Sequence, residues 1–136
     1  MHNHFDKNLN IRSRILEVKP THVLECGAGT GECTRLIATL MDKVPFKFTV
    51  INDSLIQGID SRINQIQGIS YQEIPKFPDN SIDFCIIDTD HNYWTLRVEL
   101  DALMPKMMEG GLILLHDVWT FYHATGMALQ YWNETP

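Results

Sequence analysis

Short apolar runs alternate with stretches of helical periodicity, and this alternation limits the possible folds more than any other feature of the sequence. The apolar runs predict five β-strands, at 22–26, 46–51, 69–74, 82–88 and 112–116. The stretches around them predict helices, at 5–18, 30–43, 55–66, 92–107 and about 120–132. Strands that alternate with helices form βαβ units, in which right-handed crossovers build a parallel sheet. The sequence therefore predicts a Rossmann-like, doubly wound α/β fold, with a mainly parallel sheet of about five strands and helices on both faces.

The composition is typical of one globular domain over residues 1–136, with 44% hydrophobic and 21% charged residues. The apolar runs are too short to cross a bilayer, and the N-terminal stretch lacks the apolar core of a secretion signal. The 3 cysteines include no CxxC pair, which favours buried thiols in a reducing cytoplasm. A net charge of −6 without a basic stripe disfavours binding to a nucleic-acid backbone.

The segment VLECGAGTGE ends the first strand in a turn with three glycines at alternate positions, 27, 29 and 31. Such a turn lets a ligand approach backbone N–H groups at the start of the next helix. A dinucleotide-binding turn has the spacing G-x-G-x-x-G, but Glu32 stands where its third glycine would be. Glu25 and Glu32 would repel a pyrophosphate, whereas Glu25 would attract an ammonium or sulfonium group. The segment thus favours a cationic ligand over an NAD(P)-type cofactor, with a tight turn that binds nothing as the alternative.

Asp53, preceded by Asn52, follows the second strand about 20 residues beyond the glycine turn. An acid at this place commonly accepts hydrogen bonds from ribose hydroxyls. The alternative is a helix N-cap, because Asp and Ser both cap helices well. The position indicates a ligand that contains a ribose.

Acids and histidines also follow the fourth and fifth predicted strands, in IDTDHNYW and LLHDVW. They are Asp88, Asp90, His91, His116 and Asp117. The two strands should be neighbours, so these side chains should meet at one edge of the sheet. Carboxylates packed together repel one another unless a cation or a proton lies between them, and oxygen-rich sites suit Mg²⁺ or Mn²⁺. Ordinary hydrogen bonding at the strand ends is the alternative for the two histidines.

The glycine segment resembles the first motif of class I S-adenosylmethionine-dependent methyltransferases. The resemblance implies that Glu25 and the backbone of Gly27, Ala28, Gly29 and Gly31 hold the methionine half of the cofactor. Asn52 and Asp53 would hold the ribose. The family usually has an acid after the third strand for the adenine amino group, and Glu73 is the nearest candidate here.

The longer segment from Ile87 to Trp119 resembles the metal-associated O-methyltransferases, above all the subgroup with an IDxDHxY…GG…HD pattern that includes macrocin and cephalosporin-cluster methyltransferases. This resemblance implies Asp88 and Asp117 as metal ligands, with His116 as a further one. It implies His91 as a general base and Asp88 as a second catalytic residue. Catechol-type relatives have Asn directly after the strand-five acid, where this chain has Val118, so their full ligand triad is absent.

Together the two resemblances imply transfer of a methyl group from S-adenosylmethionine to a hydroxyl of a small molecule, assisted by Mg²⁺ or Mn²⁺. The alternative is an accessory or regulatory protein that binds the cofactor without transferring the methyl group. The family's sheet normally has two more strands after the fifth, and the chain is either a natural minimal form or a truncation. Without those strands 112–116 would be an apolar edge, which predicts a homo-oligomer through this strand.

Overall fold

The computed structural model describes residues 7–89, 93–116 and 128–132, and it forms an α/β fold around one sheet. The helices are α1 (Lys7–Val18), α2 (Glu32–Leu40), α3 (Ser70–Glu73) and α4 (Tyr93–Leu103). The strands are β1 (His22–Cys26), β2 (Lys47–Asn52), β3 (Asn64–Gln67), β4 (Ile82–Ile87), β5 (Met107–His116) and β6 (Ala128–Trp132). Short 3₁₀ turns follow α3 and α4. The predicted fold class is confirmed.

The sheet has six strands in the order β3-β2-β1-β4-β5-β6, and every neighbouring pair is parallel. The order runs outward from β1 in one direction and from β4 in the other, so the strand order reverses between β1 and β4. In open parallel sheets, ligands bind beyond the carboxyl ends of the strands at this switch point. The topology therefore places the glycine turn, which follows β1, at the expected binding edge.

The strands β1, β2 and β4 are buried on both faces of the sheet, which explains why they are nearly continuous in apolar residues. Val23 and Phe84 face a core layer that contains Ile11, Ile15 and Ile37 from α1 and α2. The strand residues that point to the opposite face, such as Leu24 and Cys85, pack on a second layer. This layer contains Leu96, Leu100 and Leu103 from α4. Burial of each large aliphatic side chain stabilises the fold by roughly 1.5–3 kcal/mol. The three cysteines are all buried, as predicted.

The predicted helix over 55–66 is wrong, because this segment forms turns that lead into β3. Gly58 has a left-handed φ of 67°, which interrupts a helix. The backbone of Ile56 is satisfied by a side chain instead, since Gln65 Oε1 accepts from its N–H at 2.8 Å and Gln65 Nε2 donates to its carbonyl at 3.2 Å. Asp60 and Arg62 form an ion pair at 2.6 Å within the turn.

The third strand lies earlier in the chain than predicted, and the predicted strand over 69–74 is wrong. Residues Ser70–Glu73 form α3, and Ile74–Lys76 form a 3₁₀ turn. The Ile69 carbonyl accepts hydrogen bonds from the N–H groups of Gln72 and Glu73, both at 3.0 Å. Pro75 cannot donate to a strand ladder, which favours this helical arrangement.

The predicted helix over 120–132 is wrong for 128–132, which form β6, while 117–127 lie outside the described residues. β6 pairs with β5 along its length, from Leu112 opposite Ala128 to His116 opposite Trp132. β5 is therefore an interior strand and not the apolar edge that the sequence predicted. The homo-oligomer stays a prediction. It was predicted from an exposed edge at β5, and β6 covers that edge. Within the described residues, no helix has the length and apolarity to cross a membrane.

Candidate functional site

A cleft of about 450 Å³ opens at the carboxyl ends of β1, β2, β3 and β4. This volume lies in the range of pockets that bind small molecules and cofactors. The lining residues come from the segments that follow these four strands and from α4, and they are Gly27, Gly29, Ile51, Asn52, Asp53, Gly68, Ile69, Ser70, Tyr71, Asp88, Thr89, Thr95 and Glu99. The strand ends are held together just below the cleft, because Asp88 N–H donates to the Cys26 carbonyl at 2.9 Å.

The three glycines of the turn have three different surroundings, although all have a left-handed backbone. A Cβ atom on Gly27 would lie 2.3 Å from the carbonyl oxygen of Asp88, so the approach of β4 requires this glycine. A Cβ atom on Gly31 would lie 2.8 Å from Ile56. A Cβ atom on Gly29 would meet no atom within 4 Å. Gly27 and Gly29 both line the cleft, and of the three glycines Gly29 is the one with open space where a side chain would be.

Asn52 fastens the glycine turn to the end of β2. Its Oδ1 accepts from the Ala28 N–H at 3.0 Å, and its Nδ2 donates to the carbonyls of Gly29 at 3.3 Å and Ser54 at 3.0 Å. The residue is 7% exposed, so these bonds form largely away from water. Asn52 thus lines the cleft and holds the turn that shapes it, while its predicted contact with a cofactor stays a prediction.

The described lining of the cleft is acidic. It contains the carboxylates of Asp53, Asp88 and Glu99, and no Lys or Arg is among these described residues. Asp53 lies directly after β2, in an exposed position at the rim. A cleft of this charge attracts cationic groups and repels phosphates.

Asp88 and His116 form a pair that joins the end of β4 to the end of β5. Asp88 Oδ1 lies 2.8 Å from His116 Nδ1, and the side chains are 28% and 5% exposed. An ionised carboxylate only accepts hydrogen bonds, so His116 donates through Nδ1 in this pair. The imidazole therefore orients a carboxylate that lines the cleft.

Glu99 is a buried carboxylate in the wall of the cleft, and the sequence reasoning missed it. It is 0% exposed. Glu99 accepts a hydrogen bond from the hydroxyl of Ser70, which begins α3. It also accepts from the hydroxyl of Thr89, which follows β4 and lies 2.8 Å from Glu99 Oε1 and 2.7 Å from Oε2. A signal was present in the sequence, because the helical spacing of Leu96, Leu100 and Leu103 places position 99 on the buried face of α4.

Glu25 and Glu73, which were predicted to bind the cofactor, do not line this cleft. Glu25 is 1% exposed and accepts a hydrogen bond from the Thr34 hydroxyl at 2.6 Å, on the side of the sheet that faces α2. Glu73 lies against Gly68 and forms an ion pair with Lys76 at 3.2 Å. After β3, the residues at the cleft are instead Gly68, Ile69, Ser70 and Tyr71.

The predicted general base His91 and the predicted metal ligand Asp117 lie outside the described residues, as does the neighbouring acid Asp90. Within 7–89, 93–116 and 128–132, no group of three or more His, Cys, Asp or Glu side chains is arranged to hold a metal ion. The structure brings together two of the predicted ligands, Asp88 and His116, as a hydrogen-bonded pair.

The buried Cys26 is a poor candidate for a nucleophile. A hydrogen bond with Cys85 and then burial raise the pKa of the Cys26 thiol well above its usual value, and the charges of Glu99 and Glu25 add to this effect. A thiol must lose its proton to attack a substrate. Cys26 therefore stays protonated near neutral pH and serves the core.

Solved structures share this fold at low sequence identity. A SAM-dependent methyltransferase from Archaeoglobus fulgidus superposes with a TM-score of 0.57 and 16% identity, over 78% of this chain and 51% of that one. A protein from Plasmodium falciparum described as a ribosomal RNA methyltransferase gives 0.56 and 16%, over 80% and 75%. RSP, a Rex-family repressor, gives 0.51 and 16%, over 94% and 60%. This chain thus spans about half the length of the A. fulgidus protein.

These likenesses show the fold alone, since a repressor shares it with two methyltransferases. A search of curated proteins finds no match. The sequence itself matches the family described as a methyltransferase domain over residues 24–118, which run from β1 to just past β5 and include the glycine turn, Asp53, Asp88 and Glu99. The chain therefore belongs to the methyltransferase domain family.

Proposed function

We propose that the chain binds S-adenosylmethionine in the cleft and transfers its methyl group to a hydroxyl oxygen of a small molecule. The observation that carries this proposal is the acidic cleft beside the open backbone of Gly29. A sulfonium and an ammonium group are both attracted by such a cleft, whereas the pyrophosphate of a dinucleotide is repelled. Membership of the methyltransferase domain family supports the same cofactor.

The described residues fit the cofactor at three points. The space beside Gly29 accepts the methionine half against bare backbone. The Asp53 carboxylate, after β2, is placed to accept hydrogen bonds from ribose hydroxyls. The segment from Gly68 to Tyr71 lies beyond it at the end of β3, where the base of such a ligand would lie. Ile69 and Tyr71 are 48% and 37% exposed, so they offer apolar surface to a flat ring.

S-adenosylmethionine supplies a methyl group that its sulfonium already activates, so the protein has little covalent chemistry to perform. It must align an acceptor oxygen with that methyl group and remove the oxygen's proton. We assign the second task to Asp88, which lines the cleft and is partly exposed, because Asp53 is assigned to the ribose and Glu99 is fully buried. His116 orients Asp88 through the Nδ1 hydrogen bond. His91 and Asp117 stay predicted participants.

The described side chains do not by themselves fit Mg²⁺ or Mn²⁺. Asp88 is engaged by His116, and no cluster of three ligands forms among the described ranges. The predicted metal site therefore depends on Asp117. We assign no chemical step to a metal ion.

The proposal favours a small acceptor over RNA. The net charge of −6 and the acidic cleft both oppose a polyanion. The P. falciparum protein named above is described as acting on ribosomal RNA, but the likeness to it shows only the fold.

The experiment is a methyl-transfer assay with isotopically labelled S-adenosylmethionine and a panel of small hydroxyl compounds, read by mass spectrometry. Reactions with added Mg²⁺ and with EDTA run in parallel. Product that carries the label on oxygen, and that is lost in Asp88→Asn, supports the proposal. Transfer to nitrogen or to RNA alone contradicts the predicted acceptor. Cofactor binding without any product favours the accessory protein.

A further inference from the structure

We propose that Glu99 makes the cleft selective for a base that carries an amino group, by fixing the direction of the Ser70 hydroxyl hydrogen. The inference rests on the proposed function and concerns the base end of the same cleft. Glu99 acts through Ser70 and is therefore a positioning residue.

Two side-chain hydroxyls donate hydrogen bonds to the Glu99 carboxylate. The carboxylate is fully buried, and the hydroxyls of Ser70 and Thr89 both point at its oxygens. A carboxylate only accepts hydrogen bonds, and each hydroxyl has one hydrogen to donate. The hydrogens of both hydroxyls are therefore directed into the wall at Glu99 and away from the cleft.

Ser70 offers a hydrogen-bond acceptor to a ligand in the cleft. Ser70 lines the cleft and is 7% exposed, so a group that meets it is largely shielded from water. With its hydrogen committed to Glu99, the hydroxyl oxygen can only accept a hydrogen bond from the cleft side. The wall at Ser70 thus suits a ligand donor and opposes a ligand acceptor.

The base of a bound nucleoside is the ligand group that would meet this wall. A nucleoside whose ribose lies at Asp53 directs its base toward the segment from Gly68 to Tyr71. An adenine presents the hydrogens of its amino group there, whereas a 6-oxo purine presents a carbonyl oxygen. Two acceptors that face each other in a desolvated site lose a hydrogen bond and repel, and sites built on such a bond discriminate strongly.

The predicted adenine partner, Glu73, lies against Gly68 and pairs with Lys76, but it does not line the cleft. We therefore assign the acceptor at the base end to the Ser70 hydroxyl oxygen. Glu99 belongs to α4, far along the chain from the end of β3, and it contacts the segment after β3 through Ser70. The Glu99 carboxylate also connects two segments of the cleft wall, because it bonds Ser70 at the start of α3 and Thr89 after β4.

The test measures the binding of S-adenosylhomocysteine and of its 6-oxo analogue, S-inosylhomocysteine, by calorimetry. The wild-type protein should bind the adenosyl compound at least about tenfold more tightly, the ratio that one unsatisfied polar contact produces. In Ser70→Ala the ratio should fall toward one. In Glu99→Gln it should also fall, because the amide can donate to Ser70 and let its hydrogen turn toward the cleft.

Thr89→Val is the matched control, since it removes the other hydroxyl on the same carboxylate and should keep the ratio. If a variant binds both compounds more weakly, the ratio of its two affinities can still be measured. If Glu99→Gln does not fold, the ratio in Ser70→Ala tests the inference. Equal wild-type affinity for the two compounds, or an unchanged ratio in Ser70→Ala, overturns the inference while the proposed function stands. A protein that binds neither compound overturns both.

Discussion

The imidazole of His116 lies 2.8 Å from the carboxylate of Asp88, and this contact joins the ends of two neighbouring parallel strands beside the cleft. His116 is 5% exposed, whereas Asp88 reaches the cleft surface, so the buried partner orients the accessible one. The pair gives the proposed reaction a proton acceptor with a fixed direction.

Loss of the Asp88 carboxylate should slow the chemical step while leaving the cofactor bound. In Asp88→Asn we expect kcat to fall by about 10²–10⁴-fold, the usual contribution of a positioned base. Binding of S-adenosylhomocysteine should change little, because the amide keeps the size of the side chain. Single-turnover kinetics and calorimetry separate the two effects. Unchanged turnover in the variant would exclude Asp88 as the base.

Replacement of Gly27 should destabilise the fold more than replacement of Gly29. In Gly27→Ala the added methyl group meets the Asp88 carbonyl at 2.3 Å, in addition to the strain of φ 83°. We expect a loss of about 2–4 kcal/mol, against about 1–2 kcal/mol in Gly29→Ala, where strain acts alone. Urea denaturation measures both. Equal losses would mean that β4 can move away from Gly27.

Asn52→Asp tests the fastening of the glycine turn with an almost isosteric change. The carboxylate can still accept from the Ala28 N–H, but it cannot donate to the carbonyls of Gly29 and Ser54. Because the site is buried, we expect a loss of about 1–3 kcal/mol in the free energy of unfolding and weaker cofactor binding. Wild-type affinity in a variant of reduced stability would show that the turn keeps its shape without Asn52.

His22 should make the fold less stable in mild acid. Burial lowers the pKa of His22 below its usual 6.5, and its ring nitrogens bond the Ser81 carbonyl and the Thr49 hydroxyl, both at 3.0 Å. Above pH 6.5 the residue is neutral whether the chain is folded or unfolded. As the pH falls below 6.5, the unfolded chain binds the proton first, so stability decreases.

Thermal melting between pH 8 and pH 5 measures the effect, with His22→Gln as the comparison. The variant should have a lower melting temperature at pH 8 and a smaller decrease toward pH 5. A parallel decrease in the two proteins would assign the acid sensitivity to other groups.

The alternation of strands and helices predicted the fold class because each buried strand is a continuous apolar run, which needs no tertiary information to recognise. The segment 55–66 shows where this reasoning failed. Leu55, Ile59, Ile63 and Ile66 have helical spacing, but Gly58 and the side chain of Gln65 stabilise turns instead. Such a bond forms only when the chain has folded back on itself, so local periodicity could not reveal it.

The candidate site, like the fold, could be predicted from the sequence only in part. Gly29, Asn52, Asp53 and Asp88 were found because the residues that follow parallel strands share one edge of the sheet. Glu99 was missed because its role depends on Ser70 and Thr89, which are distant from it in sequence. Because the third strand lies at 64–67, the segment 68–71 lines the cleft and Glu73 does not.

The central claim is that the open backbone of Gly29 receives S-adenosylmethionine, and a calorimetric titration with S-adenosylhomocysteine tests it most directly. Gly29→Val is compared with Gly58→Val, because Gly58 also has a left-handed φ and open space but lies outside the cleft. The two variants therefore carry similar backbone strain. We predict one-to-one binding to the wild-type protein, retained in Gly58→Val and lost in Gly29→Val. Absence of binding to the wild-type protein, or equal binding to the two variants, would contradict the claim.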